Sequence, residues 1–472
     1  MTVLDISIIC VYLAGLFAFA IYVGLRETAE DFLVLSRKAP LMLVLFSVVS
    51  SWVGVGTTVA TAASGYDTGI SLGITAGAGG LIGVIVAGLI APRLKSFGDR
   101  FGAHTIGDFF AIRYSERNRL VVGGLILMTY SLLTAAQFVG LAMLTAIWSG
   151  VAFKGAVLFA AISTIIYTAF AGIKSDFYTD VIHFWIMVIV LFGVLLPIIV
   201  RSTGGVEALG ALPKSYFDPF AYGGVPFFAA GIIFGVGAVF VTMELWQRIY
   251  ASATGSGARW ALMLSGGIII CFYLLSAFLG MLTKVVVPNL TVRDQALFIL
   301  MKRYLPPGAL GLGIAAFMAA FISAVNTMIM VTSATLTKDF YKGYINRSAT
   351  DGQLLKVGRW CTLLAGVVPF GLAVAVPDIV ALSVNALFML LIMVPAVIGG
   401  FFWKRATALG SLLSIISGFV AMVGGMWAAP KTAFVPGFLA SFLVFVGVSL
   451  LSPHGPSEVI DVWRRTPSGS EP

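Results

Sequence analysis

The chain has 472 residues, of which 59% are hydrophobic and only 10% are charged. A mean hydropathy of +1.02 excludes a water-soluble globular protein, and apolar runs of about 20 residues recur along the whole length, so the fold class is an all-α, polytopic membrane protein. The net charge of +9 is spread along the chain, with no basic tract that would suit nucleic acid.

Met1 to Asp5 includes an acidic residue and no basic leader region, so no cleaved signal peptide is expected. Thirteen apolar spans follow, at about 4–24, 41–65, 70–90, 120–148, 155–172, 177–200, 226–246, 260–286, 309–336, 357–376, 380–402, 408–427 and 434–451. An odd number puts the termini on opposite sides. With the amino terminus outside, 21 of the 29 Lys and Arg fall on the inner side, the bias expected of a plasma-membrane protein, most simply of a bacterial inner membrane. Two outer loops are long, 201–225 and 288–308, and the second reads as a short amphipathic helix ended by Pro306 and Pro307. The polar tail 452–472 is expected to be cytoplasmic, and residues 1–472 read as one transmembrane domain. Cys10, Cys271 and Cys361 lie singly inside apolar spans with no CxxC pair, which predicts buried small hydrophobes, neither disulfide nor metal ligand.

Span 2 is the unusual one. Ser47 to Tyr66 reads SVVSSWVGVGTTVATAASGY, and Gly54-Val55-Gly56-Thr57 in mid-span is a place for a helix to open. Opened backbone inside a bilayer must be satisfied by protein, water, an ion or a solute. Close helix packing through small residues is the other reading of the same glycines. Span 7 repeats the pattern with Gly235-Val236-Gly237, four spans later. Two five-span halves, each opening with a broken helix, form the pattern of an inverted-repeat transporter. The first repeat is then 41–200 and the second 226–402, with span 1 and the two spans over 408–451 peripheral.

Three stretches carry a family resemblance. Tyr304-Leu305-Pro306 and the run from Ala309 to Tyr341, ALGLGIAAFMAAFISAVNTMIMVTSATLTKDFY, are the most specific. Ala171 to His183, AGIKSDFYTDVIH, and Pro395 to Gly418, PAVIGGFFWKRATALGSLLSIISG, follow the same family's pattern, as does Gln247-Arg248 after span 7. Together they resemble the sodium:solute symporter family. The resemblance implies a thirteen-span fold with spans 2–6 and 7–11 as inverted repeats. It also implies a cation site between spans 2 and 9, built from the carbonyls of Ser50, Val53 and Ala316 and from two span 9 hydroxyls. Those hydroxyl positions are here Ala319 and Ala320, so two of about five oxygens are absent. Ser323, one turn on, either compensates in part or bonds its own i−4 carbonyl. Asp180 matches the family's Tyr-Thr-Asp aspartate beside that site, and a carboxylate within a span is a functional hypothesis by default. The alternative is a span-end charge held by water or Lys174. His183 stands where the family often has Gln, and reads as structural ahead of a proton relay.

Gly54, Gly56, Thr57, Gln137, Thr242 and Glu244 are the candidate solute-binding residues. Glu244 either faces the solute path or forms an intrahelical pair with Arg248 at i+4, and Gln137 needs a partner for its amide. The array of amides and carboxylates that a sugar's hydroxyls require is missing. The expected function is therefore cation-coupled symport of a small organic solute, such as an amino acid or carboxylate, by alternating access. The coupling ion is sodium or a proton, and the two alanines predict weak sodium dependence. An uncoupled facilitator and a solute sensor are the alternatives. No nucleophile, metal or acid–base set supports an enzyme, and no cofactor is expected beyond a sodium ion. The partners are the solute, the coupling cation and the lipid bilayer; oligomeric state is open.

Overall fold

The computed structural model describes residues 1–170, 172–428, 433–453, 460 and 463. Among these residues, ten helices are long and apolar enough to cross a membrane. Two bent pairs pass the same test jointly: Leu41–Trp52 with Gly56–Thr68, bent by 59°, and Gly224–Val239 with Met243–Ala251, bent by 47°. A shorter apolar helix covers Phe153–Ala169. The two bent pairs lie where spans 2 and 7 are expected, and counting each as one span gives up to twelve crossings among the described residues, besides the shorter helix. Ala171 at the head of the second motif, Lys431, Arg464 and Arg465, and most of the tail 452–472 lie outside the described residues.

Small residues set how closely the spans pack. Span 3 (Ser71–Phe101) lies along span 7 so tightly that a Cβ on Gly235 would stand 2.1 Å from the Gly79 carbonyl oxygen. This corrects the expectation for the span 7 glycines. Gly235 serves backbone-to-backbone packing, as small residues do between membrane helices, and the helix opens further on, at 240–242. In span 2 the helix does leave its path at the glycine motif, with Val53 at ψ 71°.

Chain segments flanking the broken spans are tied together. Ala39, before span 2, forms an isolated β-bridge with Ser252, after span 7: the Ala39 N–H donates to the Ala251 carbonyl (2.9 Å) and the Ala253 N–H to that of Ala39 (2.8 Å). At the far end of span 2, both long loops meet Tyr66. Its hydroxyl donates to the Pro288 carbonyl (2.6 Å), and its own carbonyl accepts from the Tyr216 hydroxyl (3.1 Å). The amphipathic segment of the second loop is the helix Ala296–Tyr304, with Leu297, Phe298, Leu300 and Met301 buried. Cys10 and Cys271 are exposed and Cys361 is half-buried, all three free, so the expected burial is not found. An exposed thiol on an apolar helix costs nothing where the surroundings are lipid.

Candidate functional site

Each break leaves backbone groups without helical partners, and the sequence supplies replacements at both. In span 2 the Val55 N–H donates to Gln137 Oε1 (2.9 Å). The hydroxyls of Thr57, Thr58 and Thr61 donate to the carbonyls of Trp52 (2.6 Å), Gly54 (2.8 Å) and Gly56 (3.0 Å). At span 7 the Met243 N–H donates to the Tyr130 hydroxyl (2.9 Å), which in turn donates to the Glu244 carboxylate. Thr242 gives its hydroxyl to its own i−4 carbonyl, that of Ala238 (2.6 Å). Tyr130 and Gln137 are both on span 4 (Glu116–Ser149). Seven residues apart, they share a helix face two turns long, so one helix satisfies both breaks.

Below the span 2 break lies a buried polar cluster. Span 6 begins at Ile173 and presents Asp176, Asp180 and His183 on one face, at helical spacing. Span 9 answers with Ser323, Asn326 and Thr327, and span 2 with Ser47 and Ser50; all are buried. Asp180 accepts from Ser47 Oγ (2.6 Å) and Ser323 Oγ (2.5 Å), and its carbonyl accepts from Ser50 Oγ (2.8 Å). Asp176 accepts from Asn326 Nδ2 and from Thr327 Oγ1 (3.2 Å). Arg248 Nη2 stands 3.4 Å from both carboxylates and donates to Thr327 Oγ1 (2.8 Å). Its guanidinium also lies 5.5 Å from the centre of the Phe177 ring. A buried guanidinium against carboxylates that have their own hydroxyl and amide donors is the arrangement that makes burying charge tolerable.

Several expectations change here. Arg248 does not pair with the Glu244 carboxylate; its Nη1 donates to the Glu244 carbonyl (3.3 Å) while the fork reaches span 6. The surrounding carboxylates outcompete an i+4 neighbour that is already bonded to Tyr130. Lys174 is not the counter-ion of Asp180. It pairs with Asp31 (2.9 Å), because six residues along a helix turn it away from the aspartate face. Ser323 bonds Asp180 and not its own i−4 carbonyl. His183 Nδ1 is 3.8 Å from Asp180 Oδ1, neither ring nitrogen has a hydrogen-bond partner among the described residues, and the ring meets Tyr12 edge-on.

The remaining residues stand as follows. Ser50 lies in the last turn of its helix, where carbonyls lack intrahelical donors, and Val53 ends that turn. Ala316, Ala319 and Ala320 are fully buried in span 9, and the two alanines present methyl groups where hydroxyls were sought. A Cβ on Gly54 would meet the Gln137 amide at 2.9 Å, whereas one on Gly56 would meet nothing within 4 Å. The structure therefore gathers Ser50, Asp180 and Ser323 into one network and leaves Thr242 and Glu244 beside the second break.

Sequence reasoning missed Ser47, Asp176's partners Asn326 and Thr327, and Tyr130. It also missed Glu27, whose Oε1 accepts the Ser175 N–H (2.7 Å) at the start of span 6, and whose carboxyl burial pushes up to about 8. The available signal was the i, i+3, i+4 spacing of Ser323, Asn326 and Thr327, which marks a polar stripe on an otherwise apolar helix.

The family model described as "Sodium:solute symporter family" matches residues 39–418. Among curated relatives, the sodium/pantothenate symporter of Haemophilus influenzae is 25% identical over 86% of this chain and 87% of its own. The sodium/proline symporter of Salmonella typhimurium is 26% identical over 94% of this chain and 92% of its own. Among solved structures, a sodium-coupled sialic acid symporter in a substrate-bound outward-open state superposes with a TM-score of 0.83 at 18% identity, covering 97% of this chain and 99% of its own. A nucleobase–cation symport transporter gives 0.58 at 13% identity over 92% and 95%. These two likenesses establish a shared fold. The model match spans most of the chain and takes in both breaks and the carboxylate cluster: this multi-pass membrane protein is a transporter belonging to the sodium:solute symporter family.

Proposed function

We propose that the protein couples entry of one cation to symport of a small organic solute, and that sodium is the cation. The observation that carries this reading is the charge balance of the buried cluster. Asp176 and Asp180 face a single guanidinium, so with both ionised the group has one negative charge beyond what Arg248 neutralises. One monovalent cation beside Asp180 and Ser323 would complete it, with the carbonyls of Ser50, whose hydroxyl already bonds the Asp180 carbonyl, and of Val53 as the further proposed ligands. The solute would bind between the breaks of spans 2 and 7, where Gly56 borders open space and Glu244, Thr57 and Gln137 supply polar edges. A relative named for proline and one named for pantothenate both take compact carboxylates, which favours a small amino acid or carboxylate here. Alternating access would follow from rocking of the halves 41–200 and 226–402, across thirteen spans, with the amino terminus outside and the 452–472 tail in the cytoplasm of a bacterial cell.

Proton coupling is a second reading. It rests on the methyl groups of Ala319 and Ala320, which leave a sodium ion short of fixed oxygens, and on the direct contacts that Ser47 and Ser323 already make with Asp180. Uptake by proteoliposomes tests the choice. With proline, pantothenate and related labelled carboxylates as solutes, a sodium gradient alone drives accumulation and a pH gradient alone does not. Accumulation on the pH gradient only would transfer the role to a proton, and equal uptake without any gradient would indicate a facilitator.

A further inference from the structure

At the end of the molecule away from Tyr66, the loop after span 3, the start of span 4 and the π-helical end of span 9 (Thr335–Ile345) line an open polar cavity of about 320 Å³. Its basic residues are Arg119, Lys338, Lys342 and Arg347, and its acids are Asp108 and Glu116. The acids are already engaged. Asp108 accepts from Arg119 (3.0 Å) and from the N–H groups of His104 (2.8 Å) and Thr105 (3.2 Å), and Glu116 lies 3.3 Å from Arg119. Two further carboxylates stand nearby. Asp339, beneath the wall, accepts from Thr105 Oγ1 (2.7 Å), and Glu30 is held by His104 (3.1 Å) and Arg37 (3.6 Å).

Three cations remain without a carboxylate within 4.0 Å among the described residues: Lys338, Lys342 and Arg347. Lys338, only 9% exposed as a residue, lines the cavity, and its ammonium has no hydrogen-bond or ion-pair partner among those residues. Like charges gathered on one small polar wall, none of them paired to a carboxylate, repel one another and raise the local positive potential, so a cavity walled this way favours an anion. Beside it, Tyr344 and Ile345 are 68% and 72% exposed. An exposed aromatic and an exposed aliphatic side chain at a helix end are what anchors a chain at the boundary between headgroups and acyl chains.

We infer that this cavity binds a phosphate group, that of an anionic phospholipid headgroup whose acyl chains lie against Tyr344 and Ile345. Phosphate is the class that three convergent cations suit, since it offers several charged oxygens to point-charge ammonium donors and to a guanidinium fork. None of these residues belongs to the carboxylate cluster or to either break, so the site stands apart from the transport path.

The test uses the full-length protein in nanodiscs of phosphatidylcholine with or without phosphatidylglycerol, read by native mass spectrometry after delipidation. Wild type is expected to retain one phosphatidylglycerol per chain, and Lys342→Gln with Arg347→Gln to weaken retention roughly thirtyfold, the effect of two charges near a membrane surface. Lys342→Arg should retain it, which separates lost charge from lost fold. A second arm adds millimolar inorganic phosphate to lipid-free micelles: a rise in melting temperature that the double variant lacks would support the same phosphate site filled from solution. Equal lipid retention by wild type and the double variant, with no response of either to phosphate, would overturn the inference.

Discussion

The break in span 2 is sealed by neutral groups, the Gln137 amide and three threonine hydroxyls, whereas the break in span 7 is held by the Tyr130 phenol bonded to the Glu244 carboxylate. Both depend on span 4, yet they differ in what lies beyond them. Beyond span 2 the carboxylates of Asp176 and Asp180 meet a guanidinium. Glu244 has no ion-pair partner within 4.0 Å among the described residues. The nine-residue helix Met243–Ala251 joins the two environments, since it carries Glu244 in its first turn and Arg248 in its last. That polarity suits the helix dipole, with the acid at the amino end and the base at the carboxyl end. A movement of this short helix would shift Glu244 and Arg248 together, which is a physical route for coupling the solute and cation sites proposed above.

The strongest way to break the comparison is at its charged side. Arg248→Gln leaves two buried carboxylates without their cation and is expected to cost about 3–5 kcal/mol of stability, read as a fall in melting temperature of the purified protein. A wild-type melting curve would mean that the guanidinium compensates nothing. Next come the two seals. Tyr130→Phe strands both the Met243 N–H and the Glu244 carboxylate, while Gln137→Leu strands only the Val55 N–H. Each unsatisfied group costs about 1–3 kcal/mol, so Tyr130→Phe should be the more destabilising of the two, and the reverse order would show that water already serves the span 7 break.

A smaller effect separates the two glycines of span 2. Gly54→Ala pushes against the Gln137 amide and the Ala324 methyl and should lose about 1–3 kcal/mol to overpacking. Gly56→Ala, facing empty space, should melt as wild type does. Gly56→Leu should keep the fold and reduce solute uptake; normal uptake would move the solute site away from this break. The smallest change is expected from Ala319→Ser with Ala320→Ser. The added hydroxyls should lower the sodium concentration for half-maximal uptake by roughly the factor of 5 that one net hydrogen bond supplies. An unchanged value would show that the cation does not sit against span 9 at those positions.

Much of this architecture is legible in the sequence because membrane spans announce themselves by length and apolarity. The span 2 break was legible too, since Gly54 and Gly56 sit among Ser and Thr that can bond opened backbone. Gly235 of span 7 misled, because the same residue type serves a close approach to Gly79 and only coordinates distinguish the two uses. Arg248 misled for a related reason. Spacing along one helix favours Glu244, but its actual partners are 68 and 72 positions away, and a buried charge selects among all acids in reach and not among its chain neighbours. Gln137 could be named as a polar group needing a partner and Tyr130 was not, and nothing local to span 4 says that the partners of the two are the orphaned N–H groups of two other helices.

The most direct test of the central claim counts cations. Purified protein in proteoliposomes, supplied with a transported solute and labelled sodium, gives the ratio of sodium to solute entering together. With both Asp176 and Asp180 ionised against the one guanidinium of Arg248, the proposed sodium coupling predicts a ratio of one, abolished in Asp180→Asn while solute exchange under equilibrium conditions persists. A ratio of two, or sodium entry unaffected by Asp180→Asn, would contradict the assignment of the coupling cation to this cluster.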